Sequence, residues 1–256
     1  IFKADNFIIS KYFTLETVTG YFITYKLYSI ADMLHQQLFN QTRPYFVQLY
    51  GKNEHDKFAI LYKILYNCSF LTACLGGFLI YLINEWFITH WLGTNYFLGN
   101  SLNFWMCLNF IIQSSVLPNR IVLVSTLFKV KENGISRLIE GIIKITISLL
   151  LIPIIGVEAL AVSGIIASVL LSSLYFNYLA GQLVKQNNFS NVISTLLLSF
   201  SIIVLFTDNL PIKVSVLIFT ILAITLNVRK SLYDGRIYLQ QVADLILTKY
   251  RSPKNV

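Results

Sequence analysis

The chain has 256 residues, of which 55% are hydrophobic and 12% charged, with a mean hydropathy of +0.65 and a formal net charge of +8. A soluble domain carries about 25% charged residues, so the composition excludes an ordinary globular domain and predicts an all-α, polytopic membrane helix bundle. The excess of positive charge then reads as basic residues gathered in cytoplasmic loops, with no nucleic-acid partner.

With ~20 apolar residues per crossing as the ruler, about eight transmembrane helices are predicted. They fall near 1–13, 21–41, 61–83, 98–117, 138–155, 159–183, 192–206 and 212–228, and Pro118 is expected to kink or end the fourth. The loops after the second, fourth and sixth spans and the tail hold fourteen Lys and Arg, from Arg43 to Lys254. The alternate loops (14–20, 84–97, 153–158 and 207–213) hold only Lys213. That alternation predicts a cytoplasmic C-terminus. Trp86, His90, Trp91, Tyr96 and Phe97 in 84–97 suggest an aromatic belt at the outer interface. The tail around 236–250 is weakly amphipathic, with Tyr238, Val242, Leu245 and Lys249 on one face.

The second span carries the main polar signal. On a helix, Tyr21, Tyr25, Tyr28, Asp32 and His35 share one face, and Lys26 lies roughly 100° to the side. The rest is apolar: Phe22, Ile23, Leu27, Ile30, Leu34 and Leu38. An ionisable group in hydrocarbon costs at least ~2.5 kcal/mol, so the stripe must face protein or a water-filled lumen. Lys3, Asn6 and Ser10 share a face in the first span, and Asn109, Gln113 and Arg120 line up along the fourth. Arg137, Glu140, Lys144 and Ser148 form a stripe in the fifth, where Glu140 and Lys144 have the i,i+4 order that favours a salt bridge. Lys3, Lys26 and Lys144, with Tyr25 and Tyr28, are the candidate lumen residues for an anionic or sugar-bearing substrate. Asp5, Asp32 and Glu140 are the candidates for charge pairing or for a coupling cation.

Catalytic signatures are absent, and no enzyme, cofactor or metal site is expected. His35, His55 and His90 are scattered, and Cys68, Cys74 and Cys107 sit in apolar runs without paired spacing. Gly76-Gly77 reads as a packing or kink site, and Gly164, Ser168 and Ser172 as a small-residue row for close helix approach.

The order of several short motifs resembles a known family. Asp5-Asn6-Phe7-Ile8-Ile9 is followed by Val18-Thr19-Gly20-Tyr21, then Arg43-Pro44. Next come Trp91-Leu92-Gly93-Thr94-Asn95-Tyr96-Phe97 and a run from Ile135 closed by Gly156-Val157-Glu158-Ala159-Leu160-Ala161. Over about residues 1–180 this is similar to the polysaccharide-repeat-unit (O-antigen) flippases of the Wzx type, in the MOP superfamily with the MATE exporters and the lipid II flippase. The resemblance implies that 1–183 is a six-helix bundle like the second half of such a transporter. Residues 184–228 would be an additional terminal helix pair and 229–256 a basic cytoplasmic tail. The chain begins with Ile1 inside an apolar run, and a missing N-terminal half of the same protein is the expected partner, together with membrane lipids. Glu158 departs from the family, which usually has a small residue there.

The implied activity is movement of an undecaprenyl-diphosphate-linked oligosaccharide across the bacterial inner membrane by alternating access, for lipopolysaccharide and other cell-surface polysaccharide biosynthesis. Two rivals stand beside it. A MATE-like cation-coupled exporter would use Asp5, Asp32 and Glu140. A membrane polymerase or acyltransferase would need a large outer loop with an Arg or His cluster, which the short outer loops lack.

Overall fold

The computed structural model describes residues 2–126, 130–176 and 178–180, with the backbone alone at 2–4, 6, 7 and 173. Every regular element in that part is helical. In chain order these are α1 (Phe2–Tyr12), α2 (Leu15–Asn40), α3 (Arg43–Gly51), α4 (His55–Trp91), α5 (Asn100–Ser115), α6 (Leu117–Thr126), α7 (Val130–Ile155) and α8 (Ala159–Ala167). The last continues as a π-helix, Ser168–Tyr175. The predicted seventh and eighth spans, the tail and the Lys3 side chain lie outside the described residues.

The boundaries follow from local chemistry. Thr14 caps α2 by accepting from the Thr17 amide at 3.4 Å, and Glu16 adds negative charge to the first turn. Pro44 opens α3, where its missing N–H costs nothing. Pro118 likewise sits in the first turn of α6, just after α5 ends. The break expected there is therefore real, but the chain resumes as helix and runs on to Thr126. Glu158 stands at the N-cap of α8, where its charge complements the helix dipole.

Three helical stretches are long and apolar enough to cross a membrane: His55–Trp91, Asn100–Thr126 and Val130–Ser172. At 1.5 Å per residue α4 is about 55 Å long, well beyond a ~30 Å hydrocarbon core. Its last two turns occupy more than half of the predicted 84–97 loop, so Trp86, His90 and Trp91 are helical rather than loop residues. Trp86 and Trp91 are exposed, as an interfacial belt requires. α2 has the length to span, but its polar stripe leaves it below the same apolar threshold. Leu75, Leu79 and Leu82 on α4 and Leu138, Ile142, Leu150 and Ile154 on α7 are exposed at helical spacing, giving both helices an outward apolar face.

The core forms where α2, α4, α5 and α8 meet, around Tyr28, Cys74, Leu102, Ile111 and Leu160. Glycines set two of the closest approaches. A Cβ on Gly20 would come within 2.8 Å of Leu98, so α2 packs directly on the turn that follows α4. Two motifs far apart in sequence, Val18–Tyr21 and Trp91–Phe97, are thus two sides of one contact. That turn bends at Gly93 and Gly99, both near φ +100°, where other residues are strained.

On α4, a Cβ at Gly77 would lie 2.7 Å from Ile111, whereas one at Gly76 would meet Phe110 at an ordinary 3.7 Å. Gly77→Val is therefore expected to cost ~1–3 kcal/mol through overpacking. Gly76→Ala should stay close to wild type. Thermal unfolding of the purified chain in detergent checks both.

Candidate functional site

The polar stripe of α2 turns toward α4 and α5, and most of it is used up in protein contacts. Tyr21, Tyr28 and His35 are buried, whereas Tyr25 and Asp32 are half-buried. The Tyr28 hydroxyl donates to Asn103 Oδ1 at 2.8 Å. Asn84 Nδ2 donates to the same oxygen at 2.8 Å and to the Thr24 carbonyl at 3.0 Å. Asn103 Nδ2 in turn donates to the Tyr81 carbonyl at 3.0 Å. This hub joins α2, α4 and α5 at depth, where each amide has few other partners.

What remains of the stripe lines a cleft between α2 and α5. Tyr25, Tyr28 and Asp32 form one wall, and Asn109, Phe110 and Gln113 the other, around about 260 Å³ of space including the mouth. Gln113 Nε2 donates to Asn109 Oδ1 at 2.9 Å, which leaves Gln113 Oε1 unclaimed by that bond. Asp32 accepts from Gln36 at 2.7 Å and from Ser114 at 3.5 Å. Asn109 itself is pressed against Gly164 of α8, where a Cβ would lie 3.1 Å away. Aromatic faces, two amides and one carboxylate are therefore convergent, a set suited to hydroxyl-bearing rings or to cations.

The second polar assembly is centred on α7, and it corrects the expected charge pairing. Glu140 and Lys144 do not pair within the helix. Lys144 Nζ donates to Asp5 Oδ2 of α1 at 2.6 Å, with both side chains buried. Glu140 instead pairs with Arg120 of α6 at 3.3 Å and with Arg137 at 3.6 Å. It also accepts from Ser168 at 2.9 Å and from Ser172 at 3.3 Å on the π-helix. Arg120 Nη2 reaches Ser172 as well. Asp5 thus neutralises Lys144. Lys144 is a core residue with a fixed partner rather than a wall of an open lumen. Lys26 is exposed on α2.

Arg120 is the residue most misplaced by the loop assignment: it is buried in α6, not part of a cytoplasmic loop. Its alignment with Asn109 and Gln113 was the available signal. Asn84, Asn103, Ser69 and Asn119 carry buried hydrogen bonds without any spacing signature. Gly164 behaves as the packing residue expected, whereas Ser168 and Ser172 also bind a carboxylate. Among the described residues no group of three or more His, Cys, Asp or Glu is arranged to hold a metal.

Comparisons with protein-family models, with curated proteins and with solved structures return no match.

A buried ion pair differs from a lumen charge in its response to substitution. Lys144→Met should strand Asp5 and cost ~3–5 kcal/mol, whereas Asp5→Leu combined with Lys144→Met should recover most of that loss. Thermal unfolding of the two variants in the same detergent tests the pairing.

Proposed function

We propose that this chain takes part in translocating a lipid-linked oligosaccharide from the inner to the outer leaflet of a bacterial cell membrane, with its C-terminus in the cytoplasm. The observation that carries this reading is the cleft between α2 and α5, in a bundle where α4 and α7 turn apolar faces outward. Tyr25, Tyr28 and Phe110 offer aromatic faces, and Asn109, Gln113 and Asp32 offer donors and acceptors in the same place. The cleft is open, and the space it encloses is about 20 Å³, far below the ~300–1,000 Å³ of sites that enclose a drug-sized ligand. It suits one ring of a longer glycan passing along a wall, better than an enclosed oligosaccharide. Lys26, exposed on the neighbouring face of α2, supplies positive charge for a diphosphate or an acidic sugar. The ordered short motifs that resemble the polysaccharide-repeat-unit flippases support the same reading, as does the cytoplasmic side inferred from the basic loops.

A second reading has its own observation. Among the described residues lining the cleft, Asp32 is the charged one, and it stands beside three aromatic rings. That combination also suits an organic cation, as in a cation-coupled exporter.

The two readings diverge on substitution. If a glycan passes along the cleft, Gln113→Ala and Tyr25→Ala each remove a contact worth ~1 kcal/mol, and surface polysaccharide should be made about five-fold more slowly. Lys26→Ala should act likewise, all at unchanged protein level. Resistance to cationic dyes should stay as in wild type. Unchanged polysaccharide with lost dye resistance would favour the exporter. Lys144→Ala is expected to lower protein level instead, because its partner is Asp5 in the core.

A further inference from the structure

His35 is buried in α2, its ring stacked on Phe39 with centroids 4.6 Å apart. Its Nε2 lies 3.2 Å from the Ser69 carbonyl and 3.4 Å from the Ser69 hydroxyl. The hydroxyl has one proton, and it is donated to the Ser114 carbonyl at 2.9 Å. Both groups facing Nε2 therefore accept, and Nε2 carries the hydrogen. The imidazole is then neutral, with its lone pair on Nδ1. Among the described residues, Nδ1 has no hydrogen-bond partner, although its atom is buried. Asp32 stands three residues earlier on the same helix, at the spacing of side-chain neighbours.

We propose that Nδ1 of His35 is a proton-binding site, and that its occupancy controls whether Asp32 bridges α2 to α5 at the cleft. A proton from solvent forms the Nδ1–H bond and converts the neutral ring into an imidazolium, with Nε2–H still donated to Ser69. The new charge needs an anionic acceptor. Asp32 is the carboxylate on the same helix face. Around the pair, α4 contributes Ser69, which does not titrate. The part of α5 that reaches Asp32 is Ser114, which does not titrate. Beyond Asp32, the guanidiniums of Arg120 on α6 and Arg137 on α7 act on its carboxylate. Both are already engaged by Glu140. The contact given up is the weakest one Asp32 makes, the 3.5 Å bond from Ser114 across to α5. Protonation thus exchanges an inter-helix bond for one within α2, and loosens one wall of the cleft. The proton site stands on the Ser69–Ser114 geometry; only its consequence for transport rests on the reading of the cleft given above.

Histidine-selective ¹⁵N NMR of the full chain in lipid nanodiscs tests this, with His35→Gln to assign the signal and His55 and His90 as internal controls of fold. The expected result is an Nε2–H tautomer at about pH 8 that gains a second proton on Nδ1 by about pH 5. In Asp32→Asn the ring should remain mostly neutral where the wild type is mostly protonated. Gln36→Leu changes an exposed residue that shares Asp32, so the protonated share should rise at the same pH. An Nδ1–H tautomer at high pH, a ring that stays neutral down to pH 5, or a titration unaffected by either variant would overturn the proposal. The spectrum is read without transport, so its failure leaves the glycan reading untouched, and a failed polysaccharide assay leaves the proton site untouched.

Discussion

A charge buried in an apolar helix bundle must find its opposite, and in this chain that requirement decides how α7 is surrounded. The helix carries Arg137, Glu140 and Lys144 on one face, with Ser148 one turn further. Pairing Glu140 with Lys144 along the helix would satisfy two charges and bind nothing else. The observed arrangement sends each to a different neighbour, Lys144 to α1 and Glu140 to α6 and the π-helix. Removing a partner from a pair in such surroundings strands a charge, at several kcal/mol. The two carboxylates therefore fix the positions of elements that share little apolar surface with α7. Asp5 matters most for α1, which is joined to α2 through a break at Phe13 and Thr14.

The π-helix belongs to the same account. Ser168 and Ser172 are four residues apart and both reach Glu140. Single-turn π-bulges are the usual form, and they recur where a helix presents particular groups to a site. Here the wider turn lies opposite the one acidic group of α7 that serves two guanidiniums. Upstream on the same helix, Gly164 lets α8 close on Asn109 of α5. The backbone approach at Gly164 and the carboxylate contacts at Ser168 and Ser172 thus come from one row of small residues.

Much of this was legible in the sequence, and the limits have physical causes. Helical periodicity identified α2 and its polar stripe, because a 3.6-residue repeat puts Tyr21, Tyr25, Tyr28, Asp32 and His35 on one side whatever the helix packs against. The same periodicity placed Gly164 on a packing face. It did not reveal what each stripe would meet, since a partner such as Asp5 for Lys144 lies 139 residues away. Hydropathy put Arg120 in a loop, because Pro118 looks like an end; a proline in the first turn of a new helix produces the same local pattern. The amide hub of Asn84 and Asn103 had no spacing signal, as two isolated asparagines on different helices meet only through tertiary packing. For the turn after α4, sequence named the residues, and the structure supplies the reason: Gly20 makes room for Leu98.

These distinctions narrow which polar residues stand where a ligand in the cleft would meet them. A side chain whose hydrogen bonds and charge are spent inside the bundle contributes rigidity, and altering it acts first through stability. Lys144, Asp5, Glu140, Arg120 and Asn103 belong to that group. Tyr28 is intermediate, since its ring faces the cleft while its hydroxyl is held by Asn103. Tyr25, Asp32 and Gln113 keep an accessible edge toward the cleft, and Lys26 is open beside them. Of the candidate lysines whose side chains are described, Lys144 is held in the core and Lys26 is exposed. The carboxylate of Asp32, held loosely from α5, is the part of the cleft wall that a change of charge can move.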